Sequence, residues 1–342
     1  MNHGWKNKNW NEVIEIFNGK NQKAVENPNG QYPIYGSGGI MSYADSYLCP
    51  ENCTIIGRKG NINNPIFVPT KFWNVDTAFG LCPNDLLQPR YLYYFCQIYD
   101  FGKHNKATTI PSLVKNDLLK ISMPVPPMET QVQIVSELDK LNELIELKRS
   151  QLKDLDTLAQ SLFYETFGDP IENPKGWETK PFGKLIRLKS GDALSAKNFC
   201  DGIYPVYGGN GIAGYHNKYN ISGPNIIIGR VGALCGNVRL IDADIFVTDN
   251  AFIVNLQQDM NLRFLERLLT LLELRKYANA AAQPVISNTS LKVLNVPIPP
   301  ISMQNEFAEK IEAIEEQKRL IESSISDLET LLASRMDYWF ND

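Results

Sequence analysis

The sequence predicts an α+β protein built twice over. Two mixed α/β globular domains, related by a pseudo-two-fold, are separated by an antiparallel two-helix coiled coil. Three observations predict this. The chain repeats itself at a fixed offset; each repeat opens with Gly-, Pro-, Asn- and aromatic-rich sequence holding short β-type runs; and each closes with an unbroken heptad pattern. A length of 342 residues is about twice a typical domain.

The repeat is read directly. Tyr32-Pro-Ile-Tyr-Gly-Ser-Gly-Gly-Ile40 returns as Tyr204-Pro-Val-Tyr-Gly-Gly-Asn-Gly-Ile212, offset by 172 with six identities in nine positions. Ile55-Ile-Gly-Arg-Lys-Gly60 returns as Ile227-Ile-Gly-Arg-Val-Gly232, and Gly4-Trp5 as Gly176-Trp177. After one inserted residue, Asp76-Thr-Ala-Phe79 matches Asp249-Asn-Ala-Phe252 and Pro124-Val-Pro-Pro127 matches Pro297-Ile-Pro-Pro300. Collinear matches over a whole half-length identify a tandem duplication.

Four segments follow. Residues 1–126 and 170–299 read as compact α+β domains, with β-type runs such as Thr54-Ile-Ile-Gly and Asn225-Ile-Ile-Ile-Gly and one helical run each, at 86–101 and 262–278. A Pro-x-Pro-Pro hinge ends each domain, because Pro continues neither a strand nor a helix beyond its first turn. Residues 127–169 and 300–342 then read as spacer helices. Leu138, Leu141, Ile145, Lys148, Leu152, Leu155, Ala159 and Leu162 step by three and four, as do Phe307, Ile311, Ile314, Lys318, Ile321, Ile325, Leu328 and Leu332. These are heptad seams, each with one lysine in an apolar position. Two independent helices lying on their own domains are the blander alternative. Halves related by a two-fold would pair the helices antiparallel, with the domains at opposite ends.

Composition narrows the function. No apolar run reaches membrane-spanning length, and no apolar stretch follows the N-terminal lysines, so a cytosolic protein is expected. Six cysteines without a C-x-x-C are accordingly expected to be reduced thiols. The net charge of -4 argues against nucleic acid until it is sorted by segment. Residues 1–126 carry 12 Lys+Arg against 9 Asp+Glu and residues 170–299 carry 14 against 10, balances of +3 and +4. The helical segments carry 4 against 9 and 4 against 10, or -5 and -6. Basic lobes suit phosphates; acidic helices suit solvent or a protein.

The candidate DNA-binding residues sit in three duplicated features. The Gly-rich turns supply Tyr35, Gly36 and Ser37, and Tyr207, Gly209 and Asn210, where backbone N–H groups can approach phosphates and short polar side chains can meet base edges. The second feature is Arg58-Lys59 and Arg230, between glycines at the end of a β-type run, where a guanidinium can reach a guanine edge or a phosphate. A polar loop follows, giving Lys103, His104, Lys106 and Thr108, with Asn279 and Gln283 at the same place in the second half. Each feature has a plainer reading: the glycines as turns, the arginines paired with carboxylates.

The apparent catalytic motifs fail on their context. Gly209-Asn-Gly-Ile-Ala-Gly214 fits G-x-G-x-x-G but precedes no helix, and reads as a turn. Asn64-Pro-Ile-Phe67 lacks the second proline of a methyltransferase motif, and no G-x-x-x-x-G-K-[ST] occurs. Cys49-x-x-x-Cys53 with three scattered histidines makes a poor metal site. No cofactor, metal or catalytic residue is expected.

Together these features resemble the specificity subunit of type I restriction–modification enzymes. The resemblance covers the whole chain. It rests on Gly4-Trp5 and Gly176-Trp177, the paired Ile-Gly-Arg-x-Gly, the hinge-and-helix starts Pro124-Val-Pro-Pro-Met-Glu-Thr-Gln131 and Pro297-Ile-Pro-Pro-Ile-Ser-Met-Gln304, and Thr-Ile-Pro-Ser at 109–112 with Pro-Val-Ile-Ser at 284–287. The resemblance implies two target-recognition domains, each reading one half of a bipartite double-stranded DNA target. It also implies a helical spacer that docks two methyltransferase subunits, with nuclease-translocase subunits added for restriction. Two other classes stay open: the recognition subunit of a two-chain type II enzyme, which the catalytic chain encoded next door would distinguish, and a coiled-coil adaptor that never touches DNA, which a salt-sensitive DNA shift would exclude.

Overall fold

The computed structural model describes residues 4–279, 283–292 and 294–341. The chain divides into two compact units, Met1–Ser150 with Glu322–Asp342, and Gln151–Ile321.

In chain order the first unit holds β1 (Lys6–Asn9), α1 (Trp10–Val13), β2 (Ile14–Asn18), β3 (Tyr32–Gly36), β4 (Gly39–Ala44), β5 (Cys53–Gly57), β6 (Ile66–Val68), β7 (Trp73–Asn74), β8 (Ala78–Pro83), α2 (Pro89–Ile98), α3 (Lys115–Leu118), β9 (Ser122–Val125) and the start of the long α4 (Met128–Phe167). One sheet has the order β2-β8-β5-β6, all antiparallel. A second has the order β4-β3-β7, with β3 antiparallel to β4 and parallel to β7. Every residue of β5 is buried. Ile56 joins the core under α2 with Phe79 and Tyr91, while Ile55 faces a second cluster with Phe72 and Val68. Burial on both faces is why this strand reads as an unbroken apolar run.

The helical run at 86–101 proves shorter than its apolar pattern. Pro89 fixes the first turn, Gln88 caps it by accepting from Tyr91 N, and the chain leaves the helix at Tyr99 for a 3-10 turn at Phe101–His104. The Pro124-Val-Pro-Pro hinge hands over to α4, where buried Gln131 holds it. Its Oε1 accepts from Gln88 N (2.8 Å) and its Nε2 donates to Leu86 O (3.0 Å) and Pro126 O (2.9 Å).

The second unit repeats the plan with β10 (Thr179–Pro181), α5 (Phe182–Leu185), β11 (Ile186–Ser190), β12 (Tyr204–Gly208), β13 (Gly211–His216), β14 (Asn225–Gly229), β15 (Val238–Ile241), β16 (Phe246–Val247), β17 (Ala251–Leu256), α6 (Leu262–Leu271), α7 (Asn288–Lys292), β18 (Asn295–Pro297) and the start of α8 (Ile301–Phe340). Its sheets have the orders β11-β17-β14-β15 and β13-β12-β16. Residues 209–210 form the expected turn, and residues 211–216 continue as strand β13. The run at 262–278 breaks at Glu273, whose φ of 49° ends α6 before a 3-10 turn at Leu274–Tyr277. Gln304 mirrors Gln131, accepting from Asn261 N (3.0 Å) and donating to Pro299 O (2.9 Å).

In each unit the two helix segments run antiparallel. In the first, Glu137 Oε2 accepts from Arg335 Nη2 (3.1 Å) and Arg149 donates to Glu329 (2.7 Å), so α4 ascends as α8 descends. In the second, Asp156 pairs with Lys318 (2.8 Å) while Phe163 packs on Phe307 (5.6 Å between ring centres). All sixteen seam residues are buried or half-buried. Lys318 fits its seam position because Asp156 and Glu315 accept its ammonium. Burial disfavours its charge, but the two carboxylates outweigh that and raise its pKa.

One expectation is corrected. Cys53 and Cys82 are joined by a disulfide, because the antiparallel register of β5 and β8 sets them opposite each other with Cα atoms 4.5 Å apart. Counting cysteines along the chain cannot see a cross-strand register. Cys49, Cys96, Cys200 and Cys235 are free thiols.

Candidate nucleic-acid interface

In the first unit β5 runs out of its sheet into Arg58-Lys59-Gly60. Arg58 N and Lys59 N both donate to Thr77 O, at 2.8 and 3.2 Å. Gly60 N donates to Pro111 O (2.9 Å) and Leu113 N to Arg58 O (2.9 Å). The turn is thus stitched between the start of β8 and the Thr-Ile-Pro-Ser stretch. Gly57 is required here, since a Cβ would lie 2.1 Å from Asn61 O. The Arg58 guanidinium sits half-buried 5.6 Å from the Phe79 ring centre and pairs with no carboxylate among the described residues. Lys59 is exposed beside it.

The β3–β4 hairpin reaches the same place. Val75 N donates to Tyr35 O (2.9 Å), two residues from the Thr77 carbonyl that receives Arg58. Buried Gly36 and half-buried Ser37 lead into the turn, with Gly36 against the Met41 sulfur. Burial, followed by nearby Tyr43, raises the Tyr35 hydroxyl pKa, so it stays a neutral donor.

The polar loop is more committed to its own fold. Asn105 Oδ1 accepts from Ala107 N (3.0 Å) and Ser112 N (2.9 Å). Lys106 pairs with Asp117 at 2.6 Å and lowers that carboxyl's pKa. His104 Nε2 lies 2.7 Å from Tyr99 Oη, and Lys103 Nζ lies 5.8 Å from the centre of the same ring. Lys103 and Thr108 are exposed.

The second unit reproduces the stitching. Arg230 N donates to Asn250 O (2.9 Å), Ile286 N to Arg230 O (2.9 Å), Gly232 N to Pro284 O (3.1 Å) and Thr248 N to Tyr207 O (2.9 Å). Gly209 is pressed on the turn, where a Cβ would lie 2.4 Å from Val231 O. Asn210 is exposed at the tip. The Arg230 guanidinium lies 5.4 Å from the Phe252 ring centre, but its Nη1 also donates to Ser190 Oγ and Asp249 O, each at 3.3 Å. Part of its donor set therefore holds its own domain. Asn279 Oδ1 accepts from Val285 N (2.8 Å), as Asn105 does from Ser112. Gln283 is exposed next to Pro284. Residues 280–282 of this loop lie outside the described residues.

The fold thus gathers the hairpin, the arginine turn and the proline stretch in each unit. It ties Lys106 and Asn279 into loop contacts. Sequence reasoning passed over Phe79 and Phe252, the rings under the arginines, although Asp76-Thr-Ala-Phe79 and Asp249-Asn-Ala-Phe252 are a duplicated pair. It also missed Arg239 of β15, whose Nη2 would lie 3.5 Å from a Cβ on Gly211. The Cys49 thiol is pushed up to about 12 by burial and then by Glu15, which leaves it a poor nucleophile. Among the described residues no group of three His, Cys, Asp or Glu side chains is placed to hold a metal ion.

Two sheet lobes, each opening one arginine turn beside a Gly-rich hairpin and each packed on antiparallel helix segments, make up a duplicated two-domain fold. The chain belongs to the family described as type I restriction modification DNA specificity domain, whose profile matches it twice, over residues 2–156 and 174–330. It is 28% identical over 281 residues to the type I restriction enzyme EcoprrI specificity subunit of Escherichia coli, covering 75% of this chain and 69% of that one. Against the type I restriction enzyme MjaIX specificity subunit of Methanocaldococcus jannaschii it is 29% identical over 155 residues, covering 40% and 34%. The fold is similar to the crystal structure of the type I restriction-modification system S subunit from M. genitalium. That match has a TM-score of 0.68 and 18% identity, over 99% of this chain and 96% of that one. A chain from a structural study of complex assembly in a type I R-M system gives a TM-score of 0.61 at 16% identity, over 97% and 96%.

Proposed function

We propose that this chain is the DNA-recognition subunit of a type I restriction–modification complex in the cytosol. Residues 1–126 and 170–299 each read one half of a bipartite double-stranded DNA target, and the helices of 127–169 and 300–342 space them. The observation that carries the reading is the duplicated arginine turn. Arg58 over Phe79 and Arg230 over Phe252 lie 5.6 and 5.4 Å from matching rings of lobes with a net positive charge, while the net negative charge lies on the helices. A guanidinium backed by a ring has fewer rotamers to lose on meeting a base edge or phosphate.

The acidic helices suit protein partners. In the first unit Val132, Leu144 and Leu147 of α4 and Leu331 of α8 stand exposed, and in the second Leu158 and Leu320 do. Exposed leucines on charged helices favour docking by protein, here two methyltransferase subunits, with nuclease-translocase subunits joining for restriction. The test is a mobility shift of the full chain, with its co-purifying subunits, on a randomised duplex pool at rising salt. Affinity should fall linearly with salt on logarithmic axes, and selection should enrich two short sequences split by an unread gap. Salt-independent binding, or enrichment of one continuous sequence, would refute the reading.

A further inference from the structure

The hairpins carry a second duplicated feature that the arginine turns do not use. At the 172-residue offset Ile40 matches Ile212, Tyr43 matches Tyr215 and Tyr47 matches Tyr219. All six are exposed, at 55% and 55%, 41% and 49%, and 45% and 47%. The ring contact behind them is duplicated too: Tyr32–Tyr47 at 5.2 Å and Tyr204–Tyr219 at 5.0 Å, both tilted at 59°. Single exposed apolar residues are ordinary. The same three held out at matching places in both units are not.

Their position is specific. Ile40 and Ile212 directly follow Gly39 and Gly211, which close the two-residue hairpin turns at φ of 126° and 107°. The third strand pairs with only two residues of each hairpin, Ile34 and Tyr35 or Val206 and Tyr207, and β4 and β13 are edge strands. Each hairpin is a β-ribbon that the third strand joins at its turn end, where Tyr35 faces Ile40 and Tyr207 faces Ile212, so both isoleucines stand exposed on the free edge strand beside the turn. The ribbon is continuous with the candidate interface. In the second unit Gly209 packs on Val231 O, and Arg239 Nη2 lies beside Gly211. In the first, Lys71 Nζ sits 4.8 Å from the centre of the Tyr47 ring. Cations flanking an apolar ribbon suit a polyanion that has an apolar group in its groove. In the major groove that group is the thymine 5-methyl.

Resting on the DNA-reading function above, we propose that Ile40 and Ile212 are specificity-determining residues, each contacting the 5-methyl group of a thymine in one half of the target. The arginine turn then supplies charge and the isoleucine selects thymine. Both isoleucines follow a glycine that lets the chain turn back sharply, so the side chain stands exposed on the edge strand one residue past the turn.

The test is selection by the full chain, with its co-purifying subunits, from randomised duplexes made with either thymidine or deoxyuridine. Loss of one methyl contact is worth about fourfold in affinity. The wild type should prefer thymine at one position in each half, and this preference should drop about fourfold in the deoxyuridine pool. Ile40→Ala should lose it in one half only and Ile212→Ala in the other, with unchanged melting temperatures. The deoxyuridine arm leaves the protein untouched, so a folding defect cannot imitate the result. Identical motifs from both pools overturn the proposal. So does uniform weakening by the variants without deoxyuridine sensitivity, which would mark a wedge between base steps, or variants that bind DNA normally but lose a protein subunit. Failure of the wild type to enrich any motif would instead sink the DNA-reading function itself, and this proposal with it.

Discussion

The ring of Phe340, at the end of α8, lies 4.9 Å from the ring of Tyr91 on α2, and Phe167, at the end of α4, meets Phe264 on α6 at 4.8 Å. Each sheet lobe is thus completed by the last turn of a long helix. The core of the first unit includes Ile134, Val135 and Leu138 from the start of α4, with Met336 and Phe340 from the end of α8. The core of the second includes Ala159, Phe163 and Phe167 with Phe307, Ile311 and Ile314. Lobe and helix pair share one hydrophobic core in each unit.

Phe340→Ala should therefore destabilise the first unit by about 3–5 kcal/mol, the usual cost of deleting a buried ring. Thermal unfolding of the full chain should show the transition of that unit moving down. A shift smaller than about 1 kcal/mol would mean the helix end is not part of the core.

Gln131 and Gln304 fasten the hinges from inside. Gln131→Ala strands Gln88 N and two carbonyl oxygens, and Gln304→Ala strands Asn261 N and Pro299 O. Each should cost about 1–3 kcal/mol in denaturant titration. Gln131→Glu would press a buried carboxylate against the Leu86 and Pro126 carbonyl oxygens, so at neutral pH its cost should exceed that of alanine. Equal losses for both variants would contradict this bonding scheme.

Glu266 gives the pH signature of the second unit. Burial raises its carboxyl pKa above 4.5, while Arg267 opposes the shift. A raised folded pKa favours the protonated form. Stability is therefore fully present below the unfolded value and is lost as pH rises through the folded one. Glu266→Gln should be more stable than wild type at neutral pH, with the gap closing as pH falls through the raised folded value toward 4.5. A gap that widens on acidification would reverse the sign.

Much of this was legible in the sequence. The tandem repeat located both lobes, and Leu138 to Leu162 and Phe307 to Leu332 fixed the seams, because heptad spacing survives any loop variation. What stayed hidden depends on register or on long-range contact. Cys53 and Cys82 are 29 residues apart and meet only through strand pairing. Lys106 looks free along the chain and is paired with Asp117 in space. Arg230 looks like its duplicate Arg58, yet Ser190 and Asp249 occupy one of its donors. Ser190 ends β11, forty residues earlier, and nothing local marks it.

Arg58→Ala should separate the two arginines. Since its guanidinium donates to no described residue, Arg58 should show its effect in DNA affinity: about 1–3 kcal/mol and relaxed preference in one half-site if it reads a base, or a smaller salt slope with uniform weakening if it holds a phosphate. Arg230→Ala should also lower the melting temperature, since it releases Ser190 and Asp249. Unaltered DNA binding in the Arg58 variant would return that residue to a purely structural role.

The spacing role of the helices has its own test. Both long helices have 40 residues, about 60 Å of continuous helix. Seven residues inserted after Leu152 keep the seam in register and add about 10 Å, or roughly three base pairs. The recognised gap should lengthen accordingly, whereas a four-residue insertion should rotate the seam and destabilise the fold. An active seven-residue variant with the original gap would show that the helices do not set the distance.

The most direct test of the central claim is sequencing of DNA methylation across the genome of the parent cell, with and without this chain. The account predicts that deletion abolishes methylation at one bipartite motif, two short sequences split by an unread gap, and that restoring the chain restores it. An unchanged methylation map, or loss at a single continuous motif, would contradict it.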